Sequence, residues 1–163
     1  MNRTIPTVIM KDEGEGVWFG GGLVIFKVTS EQSGGALCMI DHVARRGKRT
    51  PLHLHPDNDE TGYILEGELL LNINGVEYTA GPGTVVYIPR GTPHAFLVTA
   101  ELTRSLWICT PGEAMQAFFH QAGEAATSRT PPSTELDIAR LRVVGEETGA
   151  MKTLGAPPFP ADP

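Results

Sequence analysis

Three side chains that can bind a metal ion lie within eight residues of one another in the first half of the chain. They are His53, His55 and Glu60, within the stretch GKRTPLHLHPDNDETGYILEG (residues 47–67). Residues two apart on a β-strand project from the same face of a sheet, so both imidazoles can reach one ion. A turn rich in Pro, Asp and Asn follows, and a return strand can carry Glu60 back to that ion. The spacing therefore indicates three ligands for one divalent metal ion.

Two half-exposed histidines beside a solvated acidic turn are the alternative interpretation of the same residues. A later segment, GTVVYIPRGTPHAF (residues 83–96), favours the metal site because it supplies a further histidine, His94. Three histidines and a carboxylate that point into a protein interior would be costly to bury unless an ion coordinates them.

The intervals between these residues resemble the two signature motifs of the cupin superfamily. Intervals of five, one, four and six residues separate the members of the first motif, which are Gly47, His53, His55, Glu60 and Gly67. Intervals of five, one and two residues separate the members of the second, which are Gly83, Pro89, Gly91 and His94. Val98 stands where the commonest form of the second motif has Asn, a position that is not a metal ligand in the family. The resemblance implies that His53, His55, Glu60 and His94 bind one divalent transition metal ion inside a small jelly-roll barrel, also described as a double-stranded β-helix.

Residues 17–123 are similar to the single-domain proteins grouped with quercetin 2,3-dioxygenases. The similarity extends through YILEGELLLNINGVEYTAGPG after the first ligands and PGEAMQAFFHQAG after the last strand. It implies a dioxygenase that binds a flavonol-like or other enolisable aromatic substrate to the metal through a hydroxyl. Oxygen then adds across the heterocycle, and the ring opens with loss of carbon monoxide. Glu60 is the expected catalytic residue because a carboxylate there can accept the substrate's proton.

The ligand set leaves the metal and the chemistry open. Sites of histidine and carboxylate accept iron, nickel, manganese, cobalt, copper or zinc. A non-redox cyclase, isomerase or lyase acting on a polyketide-like substrate is one alternative function. A non-enzymatic protein that binds a small ligand is another.

Short strands punctuated by Gly, Pro and Asn predict an all-β barrel. Asn74-Gly75 marks a hairpin between two of them, because a two-residue turn of this type needs positive φ. The predicted strands are residues 7–10, 17–19, 23–29, 36–43, 52–55, 62–65, 68–73, 76–79, 84–88, 94–99 and 103–109.

The pattern changes to helical after the last strand. Thr110, Pro111 and Glu113 predict an N-cap, a first-turn proline and a capping box. Met115, Phe118, Phe119 and Ala122 then lie on one helix face, which we expect to pack against the barrel. A second helix is predicted over residues 134–147 with Ser133 as its cap, and the proline-rich end from residue 154 is expected to be irregular. These features predict a barrel domain with a closing helix over residues 1–123, followed by a C-terminal helix and tail over 124–163.

Inward-facing residues of a small barrel can leave one pocket for a ligand. We expect the pocket to be lined by Tyr63, Phe96, Met39, Trp107 and Phe118. His42 and His120 lie outside both motifs and are not expected to be ligands. Cys38 and Cys109 lie in apolar runs, where a thiol acts as a small core residue, and a disulfide between them is not expected.

Length and charge limit the classes of partner. A chain of 163 residues suits one domain, and a formal net charge of -6 argues against nucleic acid or an anionic membrane. No apolar run is long enough to cross a bilayer, and the start, MNRTIPTVIMKDEG, has too short an apolar stretch for a signal peptide, so we expect a cytoplasmic protein. The expected partners are a small-molecule substrate, with O2 as co-substrate of the dioxygenase, and a second copy of the chain in a homodimer.

Overall fold

A computed structural model of the chain describes residues 4, 6–134 and 136–160. Strands are the commonest regular structure among these residues, and they pair only in the antiparallel sense. The strands are β1 Gly16–Phe19, β2 Gly22–Val28, β3 Cys38–Arg45, β4 Leu52–Leu54, β5 Asp59–Glu66, β6 Leu69–Ile73, β7 Val76–Ala80, β8 Val85–Ile88, β9 His94–Val98, β10 Leu102–Thr110, β11 Glu124–Ala125 and β12 Lys152–Gly155.

Two sheets share one apolar core. The first has the strand order β11-β1-β2-β3-β10-β5-β8, and the second has the order β12-β4-β9-β6-β7. Successive side chains of a strand point to opposite faces of the sheet, so every second one can enter the core. In β10, every second side chain from Thr103 to Cys109 is buried. The core joins residues of both sheets, such as Ile40 and Trp107 from the first with Leu71 and Val98 from the second. The prediction of an all-β fold is confirmed.

The hairpin predicted at Asn74-Gly75 is present. Both residues have positive φ, 51° and 81°, and they connect β6 to β7 with Ile73 opposite Val76. This backbone matches the right-handed twist of the paired strands, which is why Asn-Gly favours the connection.

Three helices accompany the sheets in the described part of the chain: α1 Ser30–Ser33, α2 Glu113–Ala122 and α3 Ile138–Thr148. The apolar face predicted for α2 is buried through Met115, Phe118 and Phe119. The ring of Phe19 on β1 lies 5.5 Å from that of Phe118 and 5.3 Å from that of Phe119, so α2 closes against the first sheet. No helix among the residues described is long and apolar enough to span a membrane.

The predicted start of α2 was wrong. Thr110 is the last residue of β10, and Gly112 precedes the helix without a side-chain cap. The reason is a close approach of backbones: a Cβ on Gly112 would lie 2.2 Å from the Cys38 nitrogen, and the Gly112 N–H donates to the Gly35 carbonyl. The chain therefore remains bound to the β3 region until Glu113.

Three further predictions about the ends of the chain were wrong. Residues 7–10 form no strand, and the Lys27 ammonium donates to the Met10 carbonyl there, while Val8 is exposed. The second helix begins at Ile138, because Asp137 and not Ser133 accepts the capping bond, from the Arg140 N–H. The expected irregular tail begins later than residue 154, since β12 continues to Gly155 by pairing with β4. Residues 161–163 of that tail lie outside the described residues.

Candidate metal centre

The structure brings the three histidines of the two motifs together. His53 is the central residue of β4, His55 follows that strand, and His94 begins β9 directly opposite His53. Their ring centroids are 4.2 to 5.1 Å apart, and one nitrogen of each lies within 4.8 Å of the others. All three side chains are buried. The cluster could hold one metal ion.

Backbone carbonyls determine the tautomer of each ring. The Nδ1 atom of His53 lies 2.8 Å from the Pro51 carbonyl, that of His94 2.9 Å from the Thr92 carbonyl, and that of His55 2.7 Å from the Ala150 carbonyl. A carbonyl oxygen only accepts hydrogen bonds, so each Nδ1 carries the hydrogen. In the neutral rings each Nε2 is therefore left with a lone pair, which is the donor a metal ion needs.

Glu60 adds a carboxylate to this cluster. It is the second residue of β5, and its Oε2 lies 3.3 Å from His94 Nε2 and 3.5 Å from His55 Nε2. A carboxylate oxygen and an unprotonated Nε2 are both acceptors, and neither Nε2 has a hydrogen-bond partner among the residues described. Buried acceptors that face one another need a cation or a proton between them. The residues therefore fit a divalent metal ion.

The electrostatics of the cluster favour an ionised Glu60. Burial by itself would raise the pKa of Glu60, but the adjacent imidazoles of His55 and His94 outweigh burial and hold this pKa well below its usual value. Burial likewise opposes a charge on His55, yet the Glu60 carboxylate raises the pKa of that imidazole. Burial, with His94 and His55 nearby, holds the pKa of His53 well below its usual value. The cluster thus combines an anionic oxygen with a neutral imidazole on His53.

A cavity of about 70 Å³ adjoins the cluster. Its wall is mostly apolar and includes three of the five residues predicted to line a pocket, namely Phe96, Trp107 and Phe118. Gly62 provides the space that Trp107 occupies, since a Cβ there would lie 2.6 Å from the indole ring. Apolar walls of this kind exclude water from the ligand atoms and strengthen electrostatic interactions between them.

The structure corrects the prediction for the other two pocket residues, because Tyr63 and Met39 do not line this cavity. Tyr63 lies between the buried residues Gly62 and Ile64 of β5, and 42% of its surface is exposed. Met39 is adjacent to Ile40, which does line the cavity. Since neighbouring strand residues point to opposite faces, Tyr63 and Met39 both face away from the barrel interior.

Sequence reasoning missed two polar residues of the cavity wall, His42 and Lys48. Both are buried, and a Cβ on Gly22 would lie 2.6 Å from His42 Nε2 and 3.1 Å from Lys48 Cε. The Lys48 ammonium donates to the carbonyls of Phe19 and Gly20. Burial and nearby Lys48 lower the pKa of His42 to about 3, and burial lowers the pKa of Lys48 to about 7. The only indication in the sequence that either residue belongs to the site is that Lys48 directly follows Gly47 of the first motif.

His120 lies away from the metal cluster, and the two cysteines are not members of it, although Cys109 lies opposite Glu60 on the neighbouring strand. His120 on α2 is paired with Glu15, with 3.2 Å between Nε2 and Oε1. Cys38 and Cys109 are buried free thiols opposite each other on β3 and β10. Burial raises the pKa of Cys38 to about 12, which suits a core residue.

Lys48 gives the stability of the fold a measurable pH dependence. An unfolded lysine holds its proton to about pH 10.4, whereas folded Lys48 releases it near pH 7. Between these values the unfolded chain binds more protons, so raising the pH favours the folded state. We expect the free energy of unfolding of the wild type, relative to Lys48→Met, to increase by up to about 1.4 kcal/mol per pH unit above neutrality.

Urea unfolding at several pH values measures this effect. Subtracting the Lys48→Met curve removes the opposite contribution of the buried thiols, which lose protons more readily in the unfolded chain. His42 is neutral throughout this pH range because its pKa is about 3. If the free energy of unfolding varied with pH in the same way in the wild type and in Lys48→Met, the pKa of about 7 for Lys48 would be contradicted.

Comparison with known proteins identifies the class that this fold and site define. Residues 40–111 match the family model described as Cupin domain, so this part of the chain is a cupin domain. It is 25% identical, over 74% of its length, to a quercetin 2,3-dioxygenase from Bacillus subtilis, of which it covers 35%. The chain spans 35% to 38% of the length of the first curated relatives that it matches.

Solved structures share the fold at lower identity. KdgF from a Halomonas species is 17% identical with a TM-score of 0.60, and the match covers 66% of this chain and 94% of KdgF. The polyketide cyclase RemF from Streptomyces resistomycificus is 19% identical with a TM-score of 0.58, over 69% of this chain and 94% of RemF. These similarities show the cupin fold.

Proposed function

We propose that this protein is a metal-dependent dioxygenase that cleaves the ring of an enolisable, flavonol-like substrate. One observation carries the proposal: three buried imidazoles turn their Nε2 atoms toward one point beside the ionised Glu60, at the wall of an apolar cavity. The similarity to a quercetin 2,3-dioxygenase over most of the chain supports the choice of reaction. His53, His55, His94 and Glu60 are the proposed ligands.

The chain's own residues have separate roles in this proposal. A redox-capable divalent ion, when bound, would lower the pKa of a coordinated hydroxyl and supply the chemistry for reaction with O2. Glu60 accepts the hydroxyl proton, because its carboxylate is ionised and faces the same point as the imidazoles. Phe96 and Trp107 provide aromatic surfaces for a planar substrate, and Phe118 on α2 helps to exclude water from it.

Oxygen uptake tests the proposal directly. Chelator-treated protein, loaded separately with Fe²⁺, Ni²⁺, Co²⁺ or Zn²⁺, is given flavonols and smaller enolisable hydroxy-ketones in an oxygen-electrode cell. We expect substrate-dependent oxygen consumption with at least one redox-capable ion and none with Zn²⁺. Equal turnover under argon, or no oxygen uptake with any substrate of the panel, would exclude dioxygenase activity.

A non-redox reaction is the second candidate, and the size of the cavity favours it. A water molecule needs about 10–15 Å³ of such space, so a cavity of about 70 Å³ has room for about five to seven water molecules, which suits a compact substrate. A cyclase, isomerase or lyase acting on a compact hydroxy-carbonyl compound would use the same Glu60 to move a proton. Turnover of such a compound by the Zn²⁺-loaded protein without oxygen would identify this function.

We also propose that the protein is a homodimer. Tyr63 on β5 and Val85 on β8 pair with each other, and Tyr87 lies on the same strand as Val85. All three are exposed on the outside of the first sheet, where β8 is an edge strand. A second copy would bury this apolar surface and cover the edge. Light scattering after size exclusion should give twice the chain mass, and a monomer at micromolar concentration would refute the dimer.

A further inference from the structure

One ligand differs from the other two in how its ring is held. Pro51 and Thr92, which bind the Nδ1 atoms of His53 and His94, each lie two residues before the histidine that they contact. The partner of His55 is the carbonyl of Ala150, which lies 95 residues further along the chain. The orientations of His53 and His94 are therefore local properties of the β4 and β9 regions. That of His55 depends on the C-terminal segment, defined here as residues 138–155.

Two contacts hold the C-terminal segment at the site. β12 pairs with β4 so that Lys152 lies opposite Leu54 and Thr153 opposite His53. α3 packs onto the residue that precedes this strand, because a Cβ on Gly145 would lie 2.7 Å from both the Cγ and the carbonyl oxygen of Met151. Ala150 is completely buried between these contacts. Its carbonyl is thus fixed by the strand on one side and by the helix on the other.

The same segment completes the cavity. Leu141 of α3 and Met151 both line it, together with the histidines. The segment lies outside residues 40–111, which match the cupin family model. This chain therefore adds both a wall and a ligand contact to the site from a region beyond the matched domain.

We propose that the C-terminal segment is a positioning element of the metal centre, with the Ala150 carbonyl fixing the tautomer and the direction of His55. The proposal rests on the proposed function in assuming that the histidines bind a metal ion. A bond to the far nitrogen of a metal-binding imidazole orients the ring and increases its basicity, and loss of such a partner weakens metal binding by about 10- to 100-fold. Movement of α3 would then change metal affinity without touching any ligand.

Gly145→Ala tests this coupling. The added methyl group must push Met151 and the neighbouring Ala150 away from α3, since it would lie 2.7 Å from a backbone oxygen. Alanine favours helix more than glycine does, so a loss of metal binding would not follow from a weaker helix. Val143→Ala is the matched control, because Val143 lies on the same helix and is 54% exposed.

Two measurements are made on the full-length protein. Competition with a chromophoric chelator gives the affinity for Zn²⁺ and Co²⁺, which we expect to fall by about 10- to 100-fold in Gly145→Ala and to remain unchanged in Val143→Ala. Nitrogen-15 NMR of the imidazoles, with and without Zn²⁺, follows the Nδ1–H of each histidine. We expect the His55 signal to exchange slowly in the wild type and faster in Gly145→Ala, while the His53 and His94 signals stay unchanged.

The outcomes separate this inference from the proposed function. Folded Gly145→Ala with wild-type affinity and an unchanged His55 signal would overturn the positioning role. If Gly145→Ala does not fold, the wild-type spectrum decides: the His55 Nδ1–H must show a nuclear Overhauser effect to Ala150 and exchange together with the β12 amides, and its failure to do so overturns the role. If the wild type binds neither ion, the proposed function fails, and the same His55 signals in metal-free protein still show whether Ala150 holds the ring.

Discussion

Replacing His94 by alanine is expected to abolish tight binding of divalent metal ions. The substitution removes one of three Nε2 donors and leaves Glu60 Oε2 facing a space where His94 Nε2 lay 3.3 Å away. The effect should exceed the roughly 10- to 100-fold loss that follows removal of a partner outside the ligand set. We expect wild-type protein to retain about one ion per chain after dialysis and His94→Ala to retain none.

His120→Ala is the matched control for this experiment. His120 is a histidine of α2 that pairs with Glu15 and takes no part in the cluster. Elemental analysis by mass spectrometry and calorimetric titration with Zn²⁺ and Co²⁺ should leave this control indistinguishable from the wild type. Retention of a stoichiometric ion by His94→Ala, or equal loss from His120→Ala, would show that the metal lies elsewhere.

Thermal unfolding provides an independent measure of the same prediction. An ion that binds only the folded state stabilises it by about 2.7 kcal/mol when its free concentration is 100 times the dissociation constant. Added Zn²⁺ or Co²⁺ should therefore raise the melting temperature of the wild type and of His120→Ala. The melting temperature of His94→Ala should not respond.

The residues that sequence alone could place are those whose geometry is local. His53 and His55 share a face because they are two residues apart. His94 is the exception, since its motif predicted it as a ligand and the long-range pairing of β4 with β9 brings it to His53. The Asn74-Gly75 hairpin and the aromatic face of α2 also follow from short-range patterns. Such features depend on strand and helix periods, which the sequence carries directly.

The features that sequence could not place depend on which distant residues meet. No local pattern connects His55 with Ala150 or makes Lys48 a buried residue that binds the carbonyl of Phe19. The strand β12, which includes Leu154, was not predicted because the sequence there is rich in proline. It forms because it pairs with the edge of β4. The pocket assignment of Tyr63 was wrong because it ignored strand parity, which points this side chain outward.

Glu60→Gln is expected to reduce turnover far more than it reduces metal occupancy. The amide has nearly the shape of the carboxylate but cannot accept a proton, and loss of a general base costs about 10²- to 10⁴-fold in rate. Because His55 and His94 hold the pKa of Glu60 well below its usual value, the wild-type group is ionised at neutral pH. A high concentration of metal ion should refill the variant's site without restoring the rate.

Asp59→Asn is the matched control for Glu60→Gln, since it neutralises the preceding carboxylate on the same strand. Asp59 bonds the guanidinium of Arg90 at the surface, with 3.0 Å between Oδ1 and Nε, and exposed ion pairs of this type contribute little free energy. Its turnover and metal content should therefore match the wild type. Full turnover by metal-loaded Glu60→Gln would exclude Glu60 as the base. A metal loss as complete as that of His94→Ala would instead make Glu60 essential for holding the ion, because the imidazoles could not then retain it without the carboxylate's negative charge.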